Sequence, residues 1–184
     1  MPSLDLKKVD KTWTLFLDRD GVINYEKELH YIRNWKEFRF YENVLNALSI
    51  CAGKFGLIVV VTNQKGIGKK LMTDDDLQEI HSELNKEVLK SGGRIDRFYY
   101  CSSLDDDHYS RKPNPGMAYL AKKEFPEIDF SKAIMVGNKP SDMLFGRNAG
   151  MHTVYLTTTH PDQPFPHPDI DMTFSSLIDF ARAL

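Results

Sequence analysis

Short apolar runs alternate with amphipathic stretches along most of the chain. Five runs read as strands: Thr14 to Leu17, Gly56 to Val61, Ile95 to Tyr100, Ala133 to Val136 and Thr153 to Leu156. The second has no polar position at all, as expected for a parallel strand buried on both faces. Between these runs apolar residues recur at helical spacing. A helix is expected from about Glu42, with Val44, Leu45, Leu48 and Ala52 on one face and Gly53 as its stop. Thr73 suits an N-cap, and Asp74, Asp75 and Asp76 fill the first turn, where the helix dipole favours them. Leu77, Ile80, Leu84 and Val88 form that helix's inner face before Ser91-Gly92-Gly93 ends it. Met117 to Glu124 reads as a helix stopped by Pro126, another runs up to Gly150, and Ser175 or Ser176 caps a last one ending near Leu184. Strand and helix in strict alternation, with apolar strands, predict an α/β fold with a parallel sheet covered on both faces.

The remaining segments are polar or mixed. Residues 1–11 read as a frayed terminus. Tyr25 to Tyr41 mixes Tyr31, Trp35, Phe38 and Phe40 with charges and predicts a long loop folded over the ligand-binding end of the sheet. Its aromatics read as loop packing more than as substrate wall. A chain of 184 residues without repeats or linkers predicts one domain, 1–184. The formal net charge of −2 offers no basic face for nucleic acid or anionic membrane. Met1 to Lys11 carries no secretory signal, and no apolar run is long enough to span a bilayer. Two cysteines, Cys51 and Cys101, make no disulfide framework, so a cytoplasmic protein is expected.

Chemistry concentrates where strands end. The first strand runs into Asp18-Arg19-Asp20-Gly21, and Gly21 lets the chain turn sharply as it leaves the sheet. Ligands of open α/β sheets bind beyond the carboxyl ends of strands, which puts Asp18 and Asp20 in the crevice. Two carboxylates this close repel, and a divalent cation such as Mg²⁺ relieves them. A calcium EF-hand reading fails, because Leu29 stands where its bidentate glutamate belongs. Thr62 follows the most apolar strand, and its hydroxyl can hold phosphate oxygens, although alone it reads as a turn cap. Gly66-x-Gly68 lacks the third glycine of a dinucleotide fingerprint, with Leu71 in that place. Lys112 is stiffened by Pro113 and Pro115 into a positioned cation, and Asn138 and Asp142 follow the fourth strand.

Asp18, Asp20, Thr62, Lys112, Asn138 and Asp142, in this order, resemble the motifs of the haloacid dehalogenase superfamily of phosphatases. The resemblance spans about Thr14 to Leu156. Asp-Arg-Asp-Gly-Val-Ile-Asn, Thr-Asn-Gln-x-Gly-Ile, Arg-Lys-Pro-x-Pro-Gly-Met and Ser-Asp-Met-x-x-Gly-x-x-Ala-Gly are similar to the branch holding D-glycero-D-manno-heptose 1,7-bisphosphate and histidinol phosphatases. It implies a Rossmann-type three-layer fold around a central parallel sheet. It also implies a nucleophilic Asp18, Asp20 as acid and then base, and Lys112 offsetting negative charge. Thr62 and Asn63 would bind phosphate, and Mg²⁺ would be held by Asp18, the Asp20 carbonyl, Asn138 and Asp142. Arg111, Lys65 and Lys69 are candidates for a second anionic group on the substrate, although Lys65 and Lys69 read equally as solvated surface residues.

Two positions depart from that pattern. Asn138 stands where the family has Asp, a weaker neutral ligand for a hard cation. The segment from Cys101 to Ser110 holds one Cys and one His where many branch members carry three Cys and a His, too few for a structural zinc. The intervals between motifs are too short for a separate cap domain. The expected activity is hydrolysis of a small phosphorylated metabolite, a heptose 1,7-bisphosphate first. Histidinol phosphate and a weakly active binding protein on the same fold are the alternatives, and removal of a 3′-phosphate from nucleic acid is a further rival that the balanced charge argues against. No nucleic-acid or membrane partner is expected, and the sequence leaves the oligomeric state open.

Overall fold

The computed structural model describes residues 3–27 and 30–184. Residues 1–2 and 28–29, which belong to the expected terminal segment and the expected long loop, lie outside the described residues. In chain order the elements are β1 (Thr14–Leu17), α1 (Val44–Lys54), β2 (Leu57–Asn63), α2 (Lys65–Gly68), α3 (Asp74–Lys90), β3 (Arg97–Cys101), α4 (Gly116–Glu124), β4 (Ala133–Gly137), α5 (Pro140–Ala149), β5 (His152–Leu156), β6 (Met172–Phe174) and α6 (Leu177–Arg182). The strands form one sheet in the order β3-β2-β1-β4-β5-β6, every neighbouring pair parallel. That is the Rossmann order, in which the crevice opens between β1 and β4, where the winding reverses. β1 is central, with Leu17 paired to Val60 on one side and Val136 on the other.

The unbroken apolar strands follow from period-two alternation between two filled faces. Leu15, Leu17, Ile58, Val60, Ile134 and Val136 point into the layer holding α1, α3 and α6. Phe16, Val59, Val61 and Met135 point into the layer of α4 and α5, against Met117, Ala121 and Phe145. α3 starts with the expected capping box, Thr73 Oγ1 accepting from the Asp76 N–H and the Asp76 carboxylate accepting from the Thr73 N–H. Its inner face also buries His81. Among the described residues no helix is long and apolar enough to cross a membrane, and the short intervals between motifs carry no separate cap domain.

Several expectations need correction. The described part of the terminus, 3–11, is not frayed: Leu4, Leu6 and Val9 are buried in the core, and Leu6–Lys8 forms a 3₁₀ turn capped by Asp5. Three apolar side chains spaced among charges give no periodic signal, yet together they cover the main core cluster. α1 runs past Gly53 to Lys54, and its buried face is Val44, Ala47, Leu48 and Cys51, one position round from the expected stripe. The sequence pattern missed β6, only three residues long and half-buried, and the single turn α2. In the 25–41 segment, Trp35 and Phe38 stack and Phe40 meets both edge-on, all three against the core, as loop packing requires. Tyr31 is the exception and lines the crevice.

Candidate active site

The carboxyl ends of β1, β2 and β4 and the loop ahead of α4 meet at a cleft of about 540 Å³. Asp18 extends the ladder one residue beyond β1, its N–H donating to the Val136 carbonyl at 3.0 Å. Its carboxylate is 6% exposed and lies 2.9 Å from the Lys112 ammonium. Burial pushes the Asp18 carboxyl up to about 7; Lys112 works against this, and Asp142 and Asp20 add to it. Lys112 is itself 3% exposed. Its Nζ reaches Asp18, Asp142 at 2.7 Å and the Val61 carbonyl at 2.8 Å, which uses all three of its protons. Burial works against the ammonium, but Asp142 and Asp18 outweigh it and hold the lysine above its usual range.

Asn63 was expected to bind phosphate. It lines the cleft, and its amide also holds Lys112: Oδ1 accepts the Lys112 N–H at 3.1 Å, and Nδ2 donates one of its two protons to the Lys112 carbonyl at 3.0 Å. Its side chain brackets the lysine's backbone, so the stiffness anticipated from the two prolines is shared by a residue across the cleft. Thr62 lies at the end of β2, almost wholly buried, its Oγ1 accepting from Gln64 Nε2 at 2.9 Å. That bond leaves the hydroxyl proton free for an oxygen in the cleft.

Asp20 sits among donors. Arg19 Nη2 contacts both its oxygens at 2.9 Å, Asn24 Nδ2 donates at 2.8 Å and Gln64 Nε2 at 2.9 Å. Burial would raise this carboxyl, but the Arg19 charge and these hydrogen bonds overcome it and hold Asp20 below the usual range. Arg19 is wholly buried, its Nη1 3.4 Å from His81 Nε2. Burial and the Arg19 charge push the His81 imidazole down to about 3, so it is neutral and can accept from the guanidinium. Sequence reasoning passed over Arg19, Asn24, Gln64 and His81. The first three stand inside the motifs, and that was their only signal; His81 is one more inner-face position of α3.

Gly137 ends β4, and a Cβ there would meet Asp142 Cβ at 2.3 Å, so only glycine lets Asp142 fold back over the strand end. Asp142 Oδ2 caps α5 by accepting from the N–H groups of Asn138 and Lys139, and Oδ1 faces Lys112. Asn138 is wholly buried and lies beneath Gly21, which has φ of +87°; a Cβ on Gly21 would stand 2.0 Å from Asn138 Nδ2. Asn138 Nδ2 donates to Thr159 Oγ1 at 2.8 Å, while its Oδ1 is buried without a partner. Asp142 thus lines the cleft directly, and Asn138 lies behind the Asp20-Gly21 turn.

Arg111 and Lys65 converge on the exposed Asp106 carboxylate, at 2.9 and 2.7 Å, and Arg111 Nη1 is buried without a partner. Lys69 lies over the Tyr31 ring at 5.4 Å. Across the cleft Lys139 pairs with Glu26. Beside this rim Cys101 Sγ lies 3.5 Å from His108 Nδ1. Among the described residues no three His, Cys, Asp or Glu side chains are arranged to hold a metal ion. Elemental analysis of the purified protein is expected to find no stoichiometric zinc, and one zinc per chain would overturn that expectation.

A buried aspartate after the central strand, a lysine fixed against it, a hydroxyl on the next strand and an acidic helix cap define a phosphatase of the haloacid dehalogenase class. A family profile described as "Polynucleotide kinase 3 phosphatase" matches residues 14–181, and the chain belongs to that family. It is 33% identical over 173 residues to a D-glycero-alpha-D-manno-heptose-1,7-bisphosphate 7-phosphatase of Mycobacterium bovis, covering 94% of this chain and 91% of that one. Its fold is similar to that of a D,D-heptose 1,7-bisphosphate phosphatase from B. bronchiseptica complexed with magnesium and phosphate, at a TM-score of 0.83 and 23% identity over 92% and 96% of the two chains. A putative HAD-like phosphatase from Mesorhizobium loti is similar at a TM-score of 0.76 and 28% identity, over 95% and 86%.

Proposed function

We propose that this phosphatase uses Mg²⁺ to remove one phosphoryl group from a sugar bisphosphate, D-glycero-D-manno-heptose 1,7-bisphosphate, through an aspartyl-phosphate on Asp18. The observation that carries the mechanism is the buried contact of Asp18 with Lys112. A carboxylate oxygen of Asp18 attacks phosphorus, and the bond from phosphorus to the sugar oxygen breaks. Asp20 gives that oxygen its proton. Asp20 rests as a carboxylate; a phosphoryl dianion brought beside it raises its proton affinity, so Asp20 takes up a proton from solvent as substrate binds and holds it for the leaving oxygen. It then takes a proton from the water that attacks the aspartyl-phosphate, and inorganic phosphate leaves. The Thr62 hydroxyl holds a phosphoryl oxygen, and Lys112 meets the charge that builds on the transferring group.

The donor set suits a hard cation. Asn138 Oδ1 is an orphaned buried oxygen beside the Asp20-Gly21 turn, and the carboxylates of Asp18, Asp20 and Asp142 outnumber the two buried cations paired with them, Lys112 and Arg19. Asp18, the Asp20 carbonyl and Asn138 would hold the ion, with Asp142 supporting through Lys112 and the α5 cap. When bound, the ion neutralises phosphoryl charge. The bisphosphate is supported by the named relatives and by the Lys65–Arg111 rim, where Arg111 Nη1 has no partner of its own. The overall charge of −2 gives no support to a polynucleotide substrate, despite the family's description.

The test compares kcat/KM for the heptose bisphosphate, histidinol phosphate and a 3′-phosphorylated oligonucleotide, with Mg²⁺ and with chelator. The bisphosphate is expected to lead by about tenfold or more, the scale of one charged contact, and chelator should abolish turnover. A faster rate on either competitor removes the substrate assignment. Full activity in chelator removes the cation.

A further inference from the structure

The amide of Asn138 has a productive end and an unproductive one. An oxygen ligates a cation, whereas an N–H₂ group presents two protons and repels it. A carboxylate in this place would have no wrong end. Something must therefore choose the orientation of this side chain, and at full burial water cannot correct a mistake.

The segment after β5 supplies that choice. Thr159 Oγ1 accepts from Asn138 Nδ2 at 2.8 Å, which leaves Oδ1 as the end without a partner. The neighbouring Thr158 hydroxyl donates to the Gly21 carbonyl at 2.5 Å. Gly21 packs so closely on Asn138 that no Cβ fits between them. Two adjacent hydroxyls from one loop thus hold both sides of the contact between the first and last motif loops. A buried carbonyl oxygen left unpaired is destabilising, and such atoms in folded proteins call for an explanation. A cation at Oδ1 provides one.

We infer that Thr159 is a positioning residue for the cation site: it takes the amide N–H of Asn138 and so commits Oδ1 to the metal, while Thr158 holds the adjoining Gly21 turn. This rests on the cation reading above and adds a residue outside the four motifs.

The experiment measures Mn²⁺ binding to metal-free protein by paramagnetic resonance of the free ion, alongside melting temperature and the metal concentration for half-maximal activity. Thr159→Val is expected to weaken Mn²⁺ binding by about tenfold, the scale of one lost hydrogen bond to a buried group. Turnover at saturating metal should stay within about threefold, since Thr159 touches neither nucleophile nor phosphate. Thr159→Ser keeps the hydroxyl and should bind like wild type. In an Asn138→Asp background, which has no N–H to hold, Thr159→Val should weaken binding distinctly less, the coupling a double-mutant cycle detects. Unchanged Mn²⁺ affinity in Thr159→Val, equal losses in both backgrounds, or a Thr159→Ser variant as weak as Thr159→Val would each overturn the positioning role. Wild-type protein that binds no Mn²⁺ and works in chelator would defeat the cation reading itself, and this inference with it.

Discussion

Asp18→Asn is expected to lower turnover by about 10⁴-fold or more, the scale seen when a nucleophile is removed, while the protein stays folded. The buried carboxylate is a poor contributor to stability. Burial, Asp142 and Asp20 all disfavour its charge, against Lys112 and the Arg19 N–H, which donates to Oδ1 at 2.8 Å. A neutral amide of the same shape removes that repulsion and leaves Lys112 paired with Asp142 and the Val61 carbonyl. The melting temperature of metal-free protein should therefore hold or rise as activity collapses. Phosphate covalently bound to the wild-type chain after rapid acid quenching should be missing from the variant. Activity near the wild-type rate would take Asp18 out of the mechanism.

Lys112→Met should damage both properties. The variant keeps the volume and removes the one ammonium between two buried carboxylates, and breaking a buried pair in this way costs about 3–5 kcal/mol. Turnover should fall by about 10²–10³-fold, as for loss of a charge stabiliser at the reacting group. The pH dependence carries a defined sign. In wild type the Asp18 carboxyl already lies near 7, raised from an ordinary value of 3.8, so the folded state binds protons that the unfolded state has released. Without Lys112 that carboxyl rises further. The stability deficit of metal-free Lys112→Met relative to wild type should then stay level in the acid range and grow as pH rises through about 7 and above, where wild-type Asp18 has ionised and the variant's has not. Denaturant melts of both proteins across that range check it. A deficit that is flat with pH, or largest in acid, would mean that Lys112 does not act by compensating these carboxylates.

Parts of the site and fold were legible because they depend on local chemistry. A strand buried on both faces must be apolar throughout, so the positions of β1, β2, β4 and β5 were readable from residue type alone. Asp18, Asp20 and Asn138 follow β1 and β4, where an abrupt change from apolar to polar marks the end of the sheet, Thr62 closes β2, and Lys112 is marked by the prolines ahead of α4. Thr73 and Asp76 cap α3 through bonds spanning three residues, and bonds of that reach are written in the sequence. The terminus was misjudged because Leu4, Leu6 and Val9 carry no period of their own. Their burial comes from a core assembled by distant segments. β6 escaped because three half-buried residues are too few to show alternation.

The sequence by itself determined the α/β alternation, the place of each motif at a strand end or ahead of a helix, and the kinds of atom brought to the cleft. Only the tertiary structure decided how those atoms divide their bonds. Lys112 is shared between Asp18, 94 residues before it, and Asp142, 30 residues after it, and Asn63 brackets the Lys112 backbone across 49 residues. Arg19 turns inward to Asp20 and His81, and Thr159 reaches Asn138 from a loop that no motif contains. The physical reason is that each of these side chains has several possible partners of suitable chemistry. Which one it meets is set by sheet order and by burial, which remove water as a competitor only once the whole fold has closed.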